Sequence, residues 1–167
     1  MLEDNPLSAT DDVDTARFRQ LLGHFATGVT VLTAIAPDGR PVGMTVNSLA
    51  SVSLEPPLVL MCIDRLAEAH DIVLAGREFV VNVLSSHQEA LSRRFADKHQ
   101  NRFDGVGYHT SQRGLIVLDG TLAHLECRHY ADYPGGDHTI MLGEVVGGEA
   151  KPGHPLLFYR GGYTGLA

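Results

Sequence analysis

Hydrophobic and polar positions change period several times along this chain, and each change marks the boundary of an element. Phe18, Leu21 and Leu22 share one helical face, which predicts a helix that Asp14 or Thr15 caps and that runs to about Gly23. Residues 28–36 (GVTVLTAIA) are rich in β-branched side chains and predict a strand. Pro37-Asp38-Gly39 is a turn whose glycine can take positive φ. Residues 41–53 predict the return strand of a hairpin. There Val42, Met44, Val46, Ala50 and Val52 fall on one face, and Thr45, Asn47, Ser51 and Ser53 on the other, with Leu49 as the exception. The run PLVLMCI from Pro57 to Ile63 has the pattern of a strand buried on both sides. Glu68 to Leu74 suits a short helix that stops at Gly76, and Glu78 to Leu84 another strand. Ser86 and Glu89 stand three apart, the spacing of a capping box for a helix from His87 to about Phe95.

Residues 96–113 are polar and without period, the place for a lid or a crossing loop. The pattern then returns to strands at 114–118, 120–131, 137–147 and 156–160. Within 120–131, alternation predicts Leu122, His124, Glu126, Arg128 and Tyr130 toward solvent, and Thr121, Ala123, Leu125, Cys127 and His129 toward the core. Tyr133-Pro134-Gly135-Gly136 predicts the next turn. Six to eight strands against three short helices predict a mainly β protein, an antiparallel barrel with peripheral helices. Strands do not alternate with long helices, which argues against a doubly wound sheet.

Composition narrows the class. At 167 residues, 44% hydrophobic and 20% charged, the chain is expected to form one soluble domain. No apolar run reaches the roughly 18 residues of a membrane span, and the acidic N-terminus is unlike a signal peptide. Cys62 and Cys127 lie in apolar segments and form no CxxC, which points to the cytoplasm with both thiols reduced. The net charge of −7 is uneven, because residues 1–14 carry Glu3, Asp4, Asp11, Asp12 and Asp14 and no base. Residues 1–14 therefore read as a solvated, partly disordered leader, and 15–167 as the domain. With no tryptophan and no basic stripe, nucleic-acid binding is not expected.

Candidate chemistry is sparse. There is neither a GxGxxG after a strand nor a GxxxxGK[ST], so any nucleotide is held by hydroxyls, backbone N–H groups and an arginine or two. Thr45, Asn47, Ser48 and Ser51 offer donors and acceptors that suit the mixed edge of a flavin ring and its phosphate; equally, they suit a strand face turned to water. In Gly136-Asp137-His138-Thr139, His138 either meets a ligand with Asp137 orienting it or lies plainly on the surface. His124 points away from Cys127 and His129 on a strand, so at most two metal ligands converge and no metal site is expected. No GxSxG elbow is present, and Cys62 reads as a core cysteine. Arg93-Arg94-Phe95 is either a solvated pair at a helix C-terminus or a cation and ring beside a phosphate or base.

Five stretches in order carry a resemblance: FATGVTVLT (25–33), GMTVNSLASVSLEPPLVL (43–60), FVVNVLSSHQEALSRRFA (79–96), GDHTIMLGEVV (136–146) and PLLFYRGGYTGL (155–166). Over about residues 16–166 the chain resembles the flavin reductases of two-component flavin-dependent monooxygenases, of the FMN-binding split-barrel family. The resemblance implies a six-stranded antiparallel Greek-key split barrel that forms a homodimer. It implies binding of FMN or FAD, hydride transfer from NADH or NADPH, and release of reduced flavin to a partner monooxygenase. By the same resemblance Thr45, Val46, Asn47, Ser48, Ser51 and Val52 line the isoalloxazine and ribityl chain, and Cys62, Ile63 and Asp64 approach the phosphate. Ala67 replaces the small hydroxyl residue frequent in the family, with Glu68, Ala69 and His70 following it. Ser85, Arg94 and Phe95 match contacts to the phosphate or adenine end. His138, beside Asp137, matches the residue facing the nicotinamide, with Tyr163 near the same pocket. Hydride transfer between these cofactors asks the protein for alignment rather than for an acid, base or metal, which fits a sequence without a triad. The absence of an arginine pair near GDHT favours NADH over NADPH. The competing readings are a flavin-binding sensor or store without turnover, and a split-barrel oxidase of a pyridoxine-like substrate, which the lack of a basic phosphate cluster disfavours.

Overall fold

The computed structural model describes residues 13–98 and 101–166, so that of the leader predicted at 1–14 only the last two residues fall within it. Helix α1 (Thr15–Leu22) begins where the Asp14 carboxylate accepts the Arg17 N–H at 2.7 Å, the cap expected from the sequence. Its apolar residues Phe18, Leu21 and Leu22 are all exposed, and α1 buries none of its residues. Strand β1 (Thr27–Gly28) is short, and β2 (Thr30–Ile35) forms the expected hairpin with β3 (Pro41–Val46).

The single return strand expected over 41–53 is instead two strands. Val46 stands opposite Thr30, the first residue of β2, so the ladder has no partner beyond that pair. The buried Thr30 hydroxyl donates to the Val46 carbonyl at 2.6 Å and fixes this end. The chain then crosses over at 47–49 and continues as β4 (Ala50–Leu54), which pairs with β5 (Pro57–Asp64). The predicted alternation holds through Val46 and lapses in β4, where Ser51 and Val52 are both exposed across a bulge.

Helix α2 (Ala69–Gly76) and strand β6 (Glu78–Val83) follow as expected. Helix α3 (Glu89–Ala96) starts two residues later than the capping box predicts. The Ser86 N–H donates to the His154 carbonyl, and Gln88 stands at the cap position without a side-chain capping bond. Its amide instead accepts from Ser85 N–H at 3.0 Å and donates to the Asp119 carbonyl at 2.8 Å.

The irregular segment contains β7 (Tyr108–Thr110), which hairpins with β8 (Ile116–Leu118). That ribbon changes one face of β9 (Ala123–Gly135): Arg113 from its turn reaches Glu78 and lies 3.7 Å from Glu126. Glu126, expected in solvent, is therefore buried. Strand β9 also runs through the predicted turn, with Tyr133 and Pro134 paired to Ile140 and Thr139 of β10 (His138–Ala150). Gly136, at φ 70°, and Asp137 alone make the turn. Strands β11 (Leu157–Tyr159) and β12 (Gly162–Thr164) form a small sheet with β1.

The main sheet has the order β3-β2-β6-β9-β10-β5-β4, antiparallel at every pairing. Its two ends meet because residues 47–49 lead directly from β3 to β4, and β3 lies against β5. Six strands surround one core: Leu32 from β2, Val46 from β3, Met61 and Ile63 from β5, Phe79 and Val81 from β6, Cys127 from β9 and Met141 from β10. Ala69 and Val73 of α2 pack into the same cluster. The expected split barrel is this structure, with its seam between β3 and β5 and β4 as a seventh strand at the edge. Gly143 is required inside it, since a Cβ there would stand 2.6 Å from Cζ of the Phe79 ring. Outside the barrel, Val31, Leu84, Phe95, Leu118 and Leu156 form a second cluster that seats α3.

Candidate functional site

The seam where β3 leaves β2 opens into a cavity of about 430 Å³. Thr45, Val46, Asn47 and Ser48 form one wall, Cys62 and Asp64 the facing wall, and His138 enters from the start of β10. This arrangement follows from register, because His138 pairs with Asp64 at the end of β5. Leu66, Ala67 and Glu68 from the following loop and Phe95, Ala96 and Lys98 from the end of α3 complete the rim, with Met44 and Arg102.

Local hydrogen bonds fix what each side chain presents. The Thr45 hydroxyl donates to the Ser92 carbonyl at 2.6 Å, so its oxygen has only lone pairs left for a ligand. Ser48 is a strap across the seam: its oxygen accepts the Cys62 N–H at 2.9 Å and its hydroxyl lies 3.3 Å from the Cys62 carbonyl. Asn47 is exposed and its amide has no hydrogen-bond partner among the described residues, so its donors and its acceptor are both available. Asp64 accepts the Leu66 N–H at 2.9 Å, and Arg65 N–H donates to the Asp137 carbonyl at 3.1 Å. The rim loop is thereby tied to the turn that carries His138.

His138 Nδ1 lies 2.7 Å from the Asp137 carboxylate. That hydrogen bond and the charge of a protonated His138 hold the Asp137 carboxyl below its usual range. With Asp137 accepting from Nδ1–H, the neutral ring leaves Nε2 as its open acceptor. Phe95 is buried at the base of the rim and meets Phe103 edge to face at 5.0 Å. The two thiols differ. Burial, followed by the Glu126 charge, pushes Cys127 up to about 12, whereas the half-buried Cys62 lines the cavity.

Eight of the residues singled out from the sequence line this cavity: Thr45, Val46, Asn47, Ser48, Cys62, Asp64, Phe95 and His138. Others lie nearby or elsewhere. Ile63 alternates with Cys62 and Asp64 and so points into the barrel core. Ser51 and Val52 lie exposed on β4. His70 lies behind the rim, with Nε2 2.9 Å from the Thr139 hydroxyl and Nδ1 2.7 Å from Asp71. Ser85 is bridged to Pro155. Arg94 donates to the Asn101 carbonyl at 3.4 Å. Tyr163 reaches the site only indirectly, since its hydroxyl lies 2.8 Å from that of Ser92, whose carbonyl holds Thr45, and Arg93 stacks over its ring at 4.8 Å.

The sequence reading missed Lys98 and Arg102. Their one signal is position: they are basic residues in the aperiodic segment just after Arg94-Phe95. Arg102 donates from Nε to the Asp97 carbonyl at 2.7 Å and from Nη1 to the Gly43 carbonyl at 2.8 Å, clamping this segment to β3. The lining suits a flavin. Met44, Val46, Leu66 and Phe95 give apolar surface for a ring, Thr45 and Asn47 give polar partners for its edge, and Lys98 and Arg102 give positive charge for a phosphate.

Known proteins share this sequence and structure. Residues 22–167 match the flavin reductase like domain. The chain is 41% identical over 159 residues to the HsaB reductase subunit of a flavin-dependent monooxygenase from Rhodococcus jostii, covering 95% of this chain and 81% of that one. It is 45% identical over 146 residues to the NADH-dependent FMN reductase SmoA of Agrobacterium fabrum, covering 87% and 83%. Among solved structures, the NADH:FAD oxidoreductase of Streptomyces globisporus in complex with NAD and FAD fragments superposes with a TM-score of 0.86 at 41% identity, covering 92% of this chain and 93% of that one.

Proposed function

Because the chain belongs to the flavin reductase like domain family, we infer that it is an NAD(P)H:flavin oxidoreductase, which reduces FMN or FAD and passes reduced flavin to a partner monooxygenase. The observation that carries this reading is the cavity at the barrel seam, within the matched residues, where apolar surface, an unengaged amide and uncompensated cations converge. Bound flavin supplies the electrophilic ring that accepts a hydride from reduced nicotinamide. The protein supplies alignment. Thr45 is fixed as an acceptor by Ser92, Asn47 offers both kinds of partner, and Leu66 and Phe95 bring apolar surface that excludes water from a ring. His138, which lines the cavity and is oriented by Asp137, docks the nicotinamide through Nε2 in this reading. No side chain in this scheme moves a proton.

Two features of the assembly complete the proposal. The chain works as a homodimer in the cytoplasm. Support for the dimer is the exposed apolar face of α1; support for the compartment is two unpaired cysteines and, among the described residues, no helix long and apolar enough to cross a membrane. The test is steady-state NADH oxidation in air with FMN and FAD titrated separately. Turnover that saturates in free flavin is the expected result. Bound yellow cofactor without NADH or NADPH oxidation would overturn the enzymatic reading in favour of a flavin-binding module.

A further inference from the structure

The loop that forms the rim of the cavity is tied at both of its ends to the two neighbours of His138. Residues 65–68 lead from β5 to α2, and Leu66, Ala67 and Glu68 among them line the cavity. At the start of the loop, Arg65 N–H donates to the Asp137 carbonyl at 3.1 Å. Just past its end stands His70, in the first turn of α2, whose Nε2 lies 2.9 Å from the Thr139 hydroxyl. Nδ1 of the same ring lies 2.7 Å from the Asp71 carboxylate. An ionised carboxylate can only accept, so Nδ1 carries the proton of the neutral ring and Nε2 accepts from the Thr139 hydroxyl. Thr139 is buried and the His70 side chain is 12% exposed, which shields this bond from competing water. His70 itself lines no part of the cavity, and its helix is anchored in the barrel core by Ala69 and Val73. His138 is the first residue of β10 and forms, with Asp64, the terminal pair of the ladder to β5. The ends of ordered elements open more readily than their centres. A side-chain bond one residue into β10 therefore limits how far His138 moves against the rim.

Resting on the flavin reductase reading, we propose that His70 is a positioning residue for nicotinamide docking: through Thr139 it holds His138 in place against the rim loop while touching neither cofactor. NADH KM and kcat, flavin dissociation constants and urea midpoints are measured for the wild type, Thr139→Val, His70→Leu and His70→Gln. The kinetics are repeated for His138→Ala with and without Thr139→Val. Thr139→Val keeps the β-branched shape and removes the hydroxyl. His70→Gln keeps an acceptor for that hydroxyl, and His70→Leu does not. Thr139→Val and His70→Leu are each expected to raise the NADH KM about 2- to 5-fold, the effect of loosening one hydrogen-bonded contact to substrate. Their kcat and their affinity for either flavin are expected to stay within about twofold of wild type. His70→Gln is expected to keep the wild-type KM. The His138→Ala background separates positioning from general loosening, since a tie that acts through His138 has nothing left to position there. In that background Thr139→Val is expected to leave KM where His138→Ala alone puts it. An equal rise in KM in both backgrounds would overturn the proposal, and so would a lower urea midpoint in Thr139→Val and His70→Leu with KM unmoved, which makes the bond purely structural. In either case turnover in every variant leaves the reductase reading standing. Wild type that oxidises neither NADH nor NADPH would overturn that reading and the role of His70 with it.

Discussion

His138 is the residue on which the proposed reaction geometry can be tested most directly. Its ring is 40% exposed at the cavity, held from behind by Asp137, and contributes nothing to the core. Removing it therefore leaves the fold and the flavin contacts in place. His138→Ala should raise the NADH KM about 2- to 10-fold, the worth of one hydrogen bond of about 0.5–1.5 kcal/mol. Flavin affinity should stay within about twofold and kcat should change little, because the lost contact is a binding contact. Stopped-flow titration with NADH at fixed flavin separates these quantities, and an unchanged NADH dependence would remove His138 from the site. The sequence made His138 visible because it follows a glycine turn and precedes a strand. It could not show that Asp64 is its register partner, since that pairing joins residues 74 positions apart.

At the scale of elements, the break between β3 and β4 creates the cavity, and Ser48 holds the break closed against β5. Ser48→Ala would leave the Cys62 N–H unsatisfied in a half-buried seam. The expected loss is about 1–3 kcal/mol of stability, read as a lower urea midpoint. Weaker binding of either flavin should accompany it, because Asn47 sits on the same crossover. Unaltered flavin affinity would show that the crossover keeps its shape without the strap. The elements themselves were legible: a β-branched run marks β2, the apolar run PLVLMCI marks β5, EFVVNVL marks β6, and Asp14, one of two candidate caps, starts α1. The break after Val46 was not, because residues 41–53 carry no glycine or proline after Gly43 and keep strand-like composition throughout. Strand pairing ends there only because β2 begins at Thr30, a fact of tertiary register. The same reason hid the burial of Glu126, whose cover is an arginine on a ribbon elsewhere in the chain. Ser86 and Glu89 have the spacing of a capping box, but the backbone N–H of Ser86 is taken by the His154 carbonyl, so local preference gives way to a longer-range contact.

For the whole molecule, the described residues leave the apolar face of α1 uncovered. An eight-residue helix is too short to be stable alone in water, and none of the residues of this one is buried. Phe18, Leu21 and Leu22 stand on it at helical spacing with 47–55% of their surface exposed, and Phe25 follows at 72%. The described residues hold it only through a few tethers, such as the Arg160 N–H on the Gly23 carbonyl and the edge contact between His24 and Tyr159. Burying such a face stabilises by about 25 cal/mol for each Å² of apolar surface removed from water. A second copy of the chain can supply that cover, and an interface built from the same patch on both subunits closes with twofold symmetry. Light scattering after size exclusion should therefore give twice the 18.0 kDa of one chain. Replacing Phe18 and Leu22 together by glutamate should shift the mass to that of a single chain, since like charges would then face each other across the axis. Because both residues are exposed in the isolated chain, the double variant should keep its far-UV spectrum apart from the loss of one helical turn or two. If it remains a dimer with α1 intact, the two copies meet through another surface and α1 is covered by something else.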